Sequence, residues 1–173
     1  MKDTYTFESA NQILNKFIND KLTSYSSKRN FDFGNFNNNF TSGLSPFITR
    51  KILTEQFIVE KILQSFSFSS VEKYIQEICW RTYWKGYLEH RQKIWYNYLK
   101  EIKLFEFKKE HPEYKNAISG RTGIDCFDSW TKELKQNNYL HNHTRMWFAS
   151  IWIHTLNLPW QLGAEYFLEE LYD

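Results

Sequence analysis

A glutamate and an arginine set among aromatic residues are the first side chains in this sequence that could do chemistry. Tyr74, Glu77, Arg81, Trp84 and Leu88 recur at three- and four-residue steps, which puts them on one face of a helix, with Trp80 at its edge. A charge buried among rings is costly unless something polar meets it. From these residues alone two accounts stand: a Glu77–Arg81 i,i+4 pair on a partly wet face, or a wall that offers a carboxylate, a guanidinium and indoles to a polar ligand.

Two further groups have the same double reading. Asn142, Arg145, Ala149 and Trp152 share a face, so Asn142 and Arg145 are expected to look inward from the first turns of a helix, with Met146 beside them. Helix capping plus one snorkelling arginine gives the same pattern. The segment Thr41-Ser42-Gly43-Leu44-Ser45-Pro46 places three hydroxyls ahead of a helix start. Hydroxyl and backbone N–H donors at such an end suit a pyrophosphate; an ordinary serine cap followed by a first-turn proline has the same composition.

The elements that must position these groups are all helical. Phe7, Leu14, Phe17, Ile18, Leu22 and Tyr25 follow helical spacing after a Ser9 cap. Asn30 to Asn39, with Gly34 and five asparagines, is a polar loop. Ser45 is expected to cap a helix through Pro46, and Thr54-Glu55 opens another that reaches Phe66. Ser69-x-x-Glu72 is a capping box before a long helix to about Leu88. His111-Pro112 breaks the chain, and Gly120 and Gly123 bracket a turn. Asp125 is expected to cap a helix through Leu134, a second runs from Asn142 to Leu156, and Pro159 stands in the first turn of a last one ending near Tyr172. With no strand pairs and no internal repeat, the fold class is all-α, a helical bundle over residues 1–173 read as one domain.

Composition sets bounds. The 173 residues are 42% apolar, enough for a substantial core, and 33 are aromatic (7 Trp, 11 Tyr, 15 Phe). The net charge of +2 is unevenly spread: residues 81–121 hold 10 basic and 5 acidic side chains, residues 122–173 hold 3 and 7. The middle segment could therefore meet phosphates, or be a solvated helix face. Cys79 and Cys126 lie in helix-like apolar patterns, which points away from a disulfide framework and towards a reducing, cytoplasmic compartment. There is no apolar leader and no run of about 18 apolar residues, so no membrane association is expected. His90, His111, His141, His143 and His154 make no metal-ligand spacing, and neither cysteine has a paired base.

The order of the motifs carries more than any one of them. Thr41 to Pro46, Glu77-x-x-Trp80-Arg81, Gly120-Arg121-Thr122-Gly123, His141-Asn142-x-x-Arg145-Met146 and Leu158-Pro159-Trp160 together resemble the flavin-binding helical half of the DNA photolyase and cryptochrome family, from about Tyr25 to Asp173. The Gly120 turn lies 22 residues before Asn142, as in that family. The resemblance implies FAD as cofactor. It implies that Thr41, Ser42, Gly43, Leu44 and Ser45 hold the flavin diphosphate with Tyr25, that Arg81 is a cavity-wall arginine, that Asn142 faces adenine or substrate, and that Arg145 pairs with Asp173 beside the flavin ring. Glu77, Trp80, Asn142 and Met146 match residues that contact a pyrimidine dimer flipped out of DNA, and His143 stands where many members place a phosphate-binding arginine.

Trp160 matches the middle tryptophan of the family's light-driven electron relay; the outer position falls on Phe107, which is too hard to oxidise, with Tyr114 and Tyr96 as possible substitutes. Relative to the family the chain is expected to be truncated, ending at Asp173 before the C-terminal flavin segment and lacking an N-terminal α/β antenna domain. The function implied is a deoxyribodipyrimidine photolyase-type lyase acting on DNA with pyrimidine dimers, Glu77 and Trp160 being its catalytic pair. The alternatives are a cryptochrome-like blue-light sensor read by a protein partner, or an incomplete helical piece that does not bind flavin by itself.

Overall fold

The computed structural model describes residues 5–34 and 39–173. Lys2 and Asp3, and the stretch 35–38 within the expected asparagine loop, lie outside the described residues. The described residues form helices joined by short loops, with no strand among them, and none of these helices is long and apolar enough to cross a membrane. The chain divides into two compact units, the first running through Tyr87 and taking in Asp173, the second covering Leu88–Tyr172.

In the first unit, α1 (Phe7–Asp20) is opened by a capping box in which Thr6 is the cap and Ser9 the reciprocal partner, so Ser9 sits inside the helix rather than before it. The expected continuous helix to Tyr25 is broken at Lys21, and α2 (Leu22–Lys28) follows. Next come α3 (Ser45–Thr49), a single short helix, and α4 (Glu55–Leu63), where the Thr54 hydroxyl accepts from Phe57 N–H at 3.2 Å as the sequence predicts. The long helix α5 (Phe68–Glu89) begins two residues earlier than a Ser69 cap implies: Ser70 bonds back to the Ser67 carbonyl, and Ser69 lies within the first turn. The core is largely aliphatic, with Leu14, Leu44, Ile58 and Ile62 fully enclosed around Phe17, Tyr25 and Tyr74.

In the second unit, α6 (Gln92–Ile102) leads into a 3₁₀ segment (Lys103–Glu110), then α7 (Pro112–Ser119), broken off from it at His111 as expected. α8 (Asp125–Asn137) is not capped by Asp125. Asp128, one turn in, accepts from the Thr122 amide (2.9 Å), the Thr122 hydroxyl (2.7 Å) and the Gly123 amide (3.0 Å) and so ties the turn to the helix. Asp125, the first residue of the helix, is exposed, and Asp128 one turn on holds the turn instead. Gly120 closes α7 at φ +62, and a Cβ there would lie 2.9 Å from the Asp128 carbonyl oxygen, so the position admits only glycine. α9 (Asn142–Ser150) runs on into a π-helical turn (Ile151–Thr155), and Pro159 is the residue before α10 (Trp160–Glu170) rather than within it. The core here is a pile of rings: Phe127 stacks on Phe148 at 4.2 Å, and Trp152 lies nearly parallel to Tyr166 at 6.1 Å.

Candidate flavin-binding site

In the first unit, α5 carries two kinds of surface. Its early turns are buried through Val71, Tyr74, Ile75 and Ile78, and Tyr74 meets Phe17 (4.7 Å) and, edge-on, Tyr25 (5.0 Å). One turn on, Glu77 is paired, but not with Arg81. Its Oε1 accepts from Arg29 Nη1 at 2.6 Å, and Arg81 instead donates to the Thr49 hydroxyl at the end of α3. The i,i+4 pair gives way because Arg29, just past α2, lies closer to the core edge, with only 17% of its side chain exposed. Beyond Glu77 the aromatic face opens: Trp80, Tyr83 and Trp84 are each about half exposed, and Tyr83 meets each tryptophan at 5.5 Å. The single expected stripe is therefore a buried tyrosine, a held carboxylate and an open ladder of rings.

The hydroxyl loop is built differently from the expected serine cap. Leu44 occupies the position before α3, its side chain fully enclosed in the core, so only its backbone faces the loop. Ser42 Oγ accepts from Leu44 N–H at 3.4 Å across Gly43, whose φ of +65 bends the chain into the turn. Ser45 is the first helical residue, and its Oγ is shut off from water with no hydrogen-bond partner. A hydroxyl in that condition costs about 1–3 kcal/mol unless an acceptor reaches it, and an oxygen of a flavin diphosphate would supply one. Tyr25 is 8% exposed, a core ring set between Phe17 and Tyr74.

Of the expected face in the second unit, Trp152 is buried and Arg145 and Ala149 are half-buried, but Asn142 is not inward. Thr144, Phe148 and Trp152 are the inward side of α9 and the turn after it, and Asn142 and Met146 are exposed. The reason is packing: the face on which these three lie meets the ring stack of α8 and α10, which turns Asn142 out. Arg145 is half-buried; its Nε donates to the Leu140 carbonyl at 2.8 Å and its guanidinium lies over Tyr139 at 5.2 Å. Trp160, at the start of α10, is 48% exposed and meets Tyr98 of α6 at 5.9 Å. Cys79 and Cys126 are exposed on α5 and α8, not set in apolar surroundings.

The structure thus groups Tyr25, the 41–45 loop, Glu77, Trp80, Arg81 and Asp173 in the first unit, and Asn142, Arg145, Met146 and Trp160 in the second. Sequence reasoning missed Arg29 and Thr49. The signal for Arg29 was its position one helical turn after Tyr25, which puts it on the tyrosine's side of α2; no comparable signal marks Thr49.

The site thus combines, in an all-helical fold, an unsatisfied hydroxyl on the first residue of a short helix and a carboxylate beside open indoles. Residues 74–173, more than half of the chain, match the family model described as the FAD binding domain of DNA photolyase, and the chain belongs to that family, whose cofactor is FAD. It is similar to the deoxyribodipyrimidine photo-lyase of Vibrio cholerae (24% identical; 96% of this chain and 36% of that protein). It is also similar to cryptochrome-1 of Sinapis alba (26% identical; 96% of this chain and 35% of that protein). Its fold matches the crystal structure of a bacterial class III photolyase from Agrobacterium tumefaciens with a TM-score of 0.80, at 24% identity, over 97% of this chain and 35% of that one. The chain spans about a third of the length of these relatives.

Proposed function

We propose that this chain forms the flavin-binding part of a light-driven repair enzyme for pyrimidine dimers in DNA. The observation that carries the reading is Glu77 held by Arg29 at 2.6 Å, one turn before the open ring face of Trp80. With Oε1 committed to Arg29, the carboxylate keeps a fixed direction and its other oxygen remains to accept an N–H from a pyrimidine edge. Trp80 offers a flat face on which a flipped base pair would stack, and a damaged pair is cheaper to flip than a sound one.

The 41–45 loop would hold the FAD diphosphate through Ser45 Oγ and Ser42, with Arg145 and Asp173 beside the ring system by family resemblance. Reduced FAD, when bound, would supply photochemical electron donation. This chain's own residues bind and orient: Ser45 contributes a donor that lacks an acceptor in the chain, and Glu77 and Trp80 seat the lesion. Met146 and Asn142, exposed on α9, are by the same resemblance further contacts for the lesion.

The test is a titration of the 173-residue chain with FAD, chemical reduction of the bound flavin with dithionite, and illumination with an oligonucleotide containing one cyclobutane pyrimidine dimer. Binding with light-dependent dimer loss is expected. Ser45→Ala should weaken FAD binding about tenfold or more, the worth of one hydrogen bond to a charged oxygen. Tight binding of reduced FAD with dimers left intact in blue light would refute repair and turn the assignment to a blue-light sensor.

A further inference from the structure

α6 is sharply two-sided, yet none of its residues is buried. At about 100° per residue, Ile94, Tyr98, Trp95 and Leu99 follow one another round one side, and the uncharged Gln92 and Tyr96 continue it. Lys93 and Lys100 lie on the far side. One edge of the apolar side is used within the second unit: Tyr98 meets Trp160 at 5.9 Å, and Glu101 accepts from Gln161 of α10 at 2.9 Å. The rest is open. Trp95, stacked on Tyr98 at 5.3 Å, is 51% exposed, and Ile94, Leu99 and Tyr96 also face water. An 11-residue helix is marginal in water and draws its stability from packing its apolar side.

We propose that the open side of α6 is covered by α6 of a second copy of this chain, the two helices running antiparallel about a two-fold axis. This pairing needs neither flavin nor DNA. With the axis midway along α6, at Asn97, Trp95 of each copy lies level with Leu99 of the other.

Charge selects a second copy over other occupants. A two-fold of this kind sets each edge of the helix against the same edge of its mate, and like charges brought together there repel. The open edge is Gln92 and Tyr96, so nothing is repelled. A helix built to lie on an anionic lipid surface, or against phosphates, would instead carry its cations along the rim of the rings, and Lys93 and Lys100 stand away from it. Arg91 and Lys103 flank the two ends of the helix and are exposed, rim positions where salt screens them.

Area agrees with charge. Ile94, Trp95, Leu99 and Trp160, each between two-fifths and about half exposed, leave about 450 Å² of apolar surface on each copy. Interfaces are about 60% apolar, so this patch with its polar rim makes about 750 Å² per copy, close to the ~800 Å² per partner of a stable complex.

The test is sedimentation velocity of the full chain after nuclease treatment, in about 0.5 M salt, where contacts through phosphates are screened. A dimer is expected, and Trp95→Glu should weaken it about thirtyfold or more. Lys100→Glu, on the far side of the same helix, should leave it unchanged. Hydrogen exchange on the unaltered chain locates the contact without any substitution: the amides of α6 should slow as the chain concentration rises. Should Trp95→Glu lose its helical circular dichroism, the exchange result decides alone. A single-chain mass up to about 100 µM, weaker than any specific pairing of this size, overturns the proposal. So does a dimer that a folded Trp95→Glu chain retains, or one that disperses on nuclease treatment, or α6 amides indifferent to concentration. A chain that stays single and sediments with phosphatidylglycerol vesicles would give the face to a lipid surface instead.

Discussion

The two units solve the same packing problem with different materials. The first encloses branched aliphatic side chains, Leu14, Ile58 and Ile62 among them, and places its polar groups at the edge through directed bonds such as Arg29–Glu77. The second is filled by rings, Phe127, Phe148, Trp152 and Tyr166, whose planes lie within about 25° of one another along several contacts. Aliphatic cores tolerate repacking as long as volume is kept. A ring stack holds orientation as well as volume. Gly163 shows how tight that fit is: a Cβ there would lie 3.0 Å from Trp152 Nε1, and Trp152 cannot swing away because that nitrogen donates to the Pro159 carbonyl.

The sharpest way to break the contrast is Trp152→Ala, which should cost about 3–5 kcal/mol by urea unfolding and leave the near-ultraviolet circular dichroism of the second unit collapsed. A loss under about 1 kcal/mol would mean the stack repacks like an aliphatic core. Next is Asp128→Ala, expected to cost about 1–2 kcal/mol. Burial pushes the Asp128 carboxyl up, but the Thr122 amide and hydroxyl and the Gly123 amide outweigh it and hold the group below its ordinary value. Its contribution is therefore fully present above the pKa of an unfolded aspartate, about 4, and is lost as the pH falls through the lower folded value. The stability gap between the parent chain and Asp128→Ala should accordingly close on acidification, and a gap independent of pH would argue against the carboxylate.

In the first unit, Arg29→Met should cost about 1 kcal/mol, since Glu77, 31% exposed, can turn to water when its partner goes. Lys51→Met marks the floor. The Lys51–Glu55 pair at 3.1 Å is largely in solvent on the lysine side, and its loss should change stability by less than about 0.5 kcal/mol.

The helices were largely legible because their periodicity and stop signals are local: Thr54, His111-Pro112 and Gly120 act within one turn of themselves. Caps were less so. Ser9, Ser45, Ser69 and Asp125 all have capping chemistry, yet each lies inside its helix: Thr6 caps α1, Leu44 and Ile124 precede α3 and α8 without a side-chain cap, and α5 has already begun at Phe68. The partners of Glu77 and Arg81 were illegible for a stronger reason. Arg29 lies 48 residues from Glu77 and Thr49 lies 32 from Arg81, and no local pattern competes with a tertiary contact at that separation. On α9 the helical wheel held at Trp152 but not at the first turn: Thr144, a small polar residue, faces the core, and Asn142 does not.

The π turn at Ile151–Thr155 has a consequence for how this helix tolerates change in length. Such a turn holds one residue more than the α-helical path needs, so it works as slack spooled into the backbone. Removing one residue anywhere else in α9 would rotate all that follows by about 100° and turn Trp152 off its stack. Removal within the π turn would take up the slack instead, which makes this five-residue stretch the length adjuster between the His141 end of the helix and Trp160.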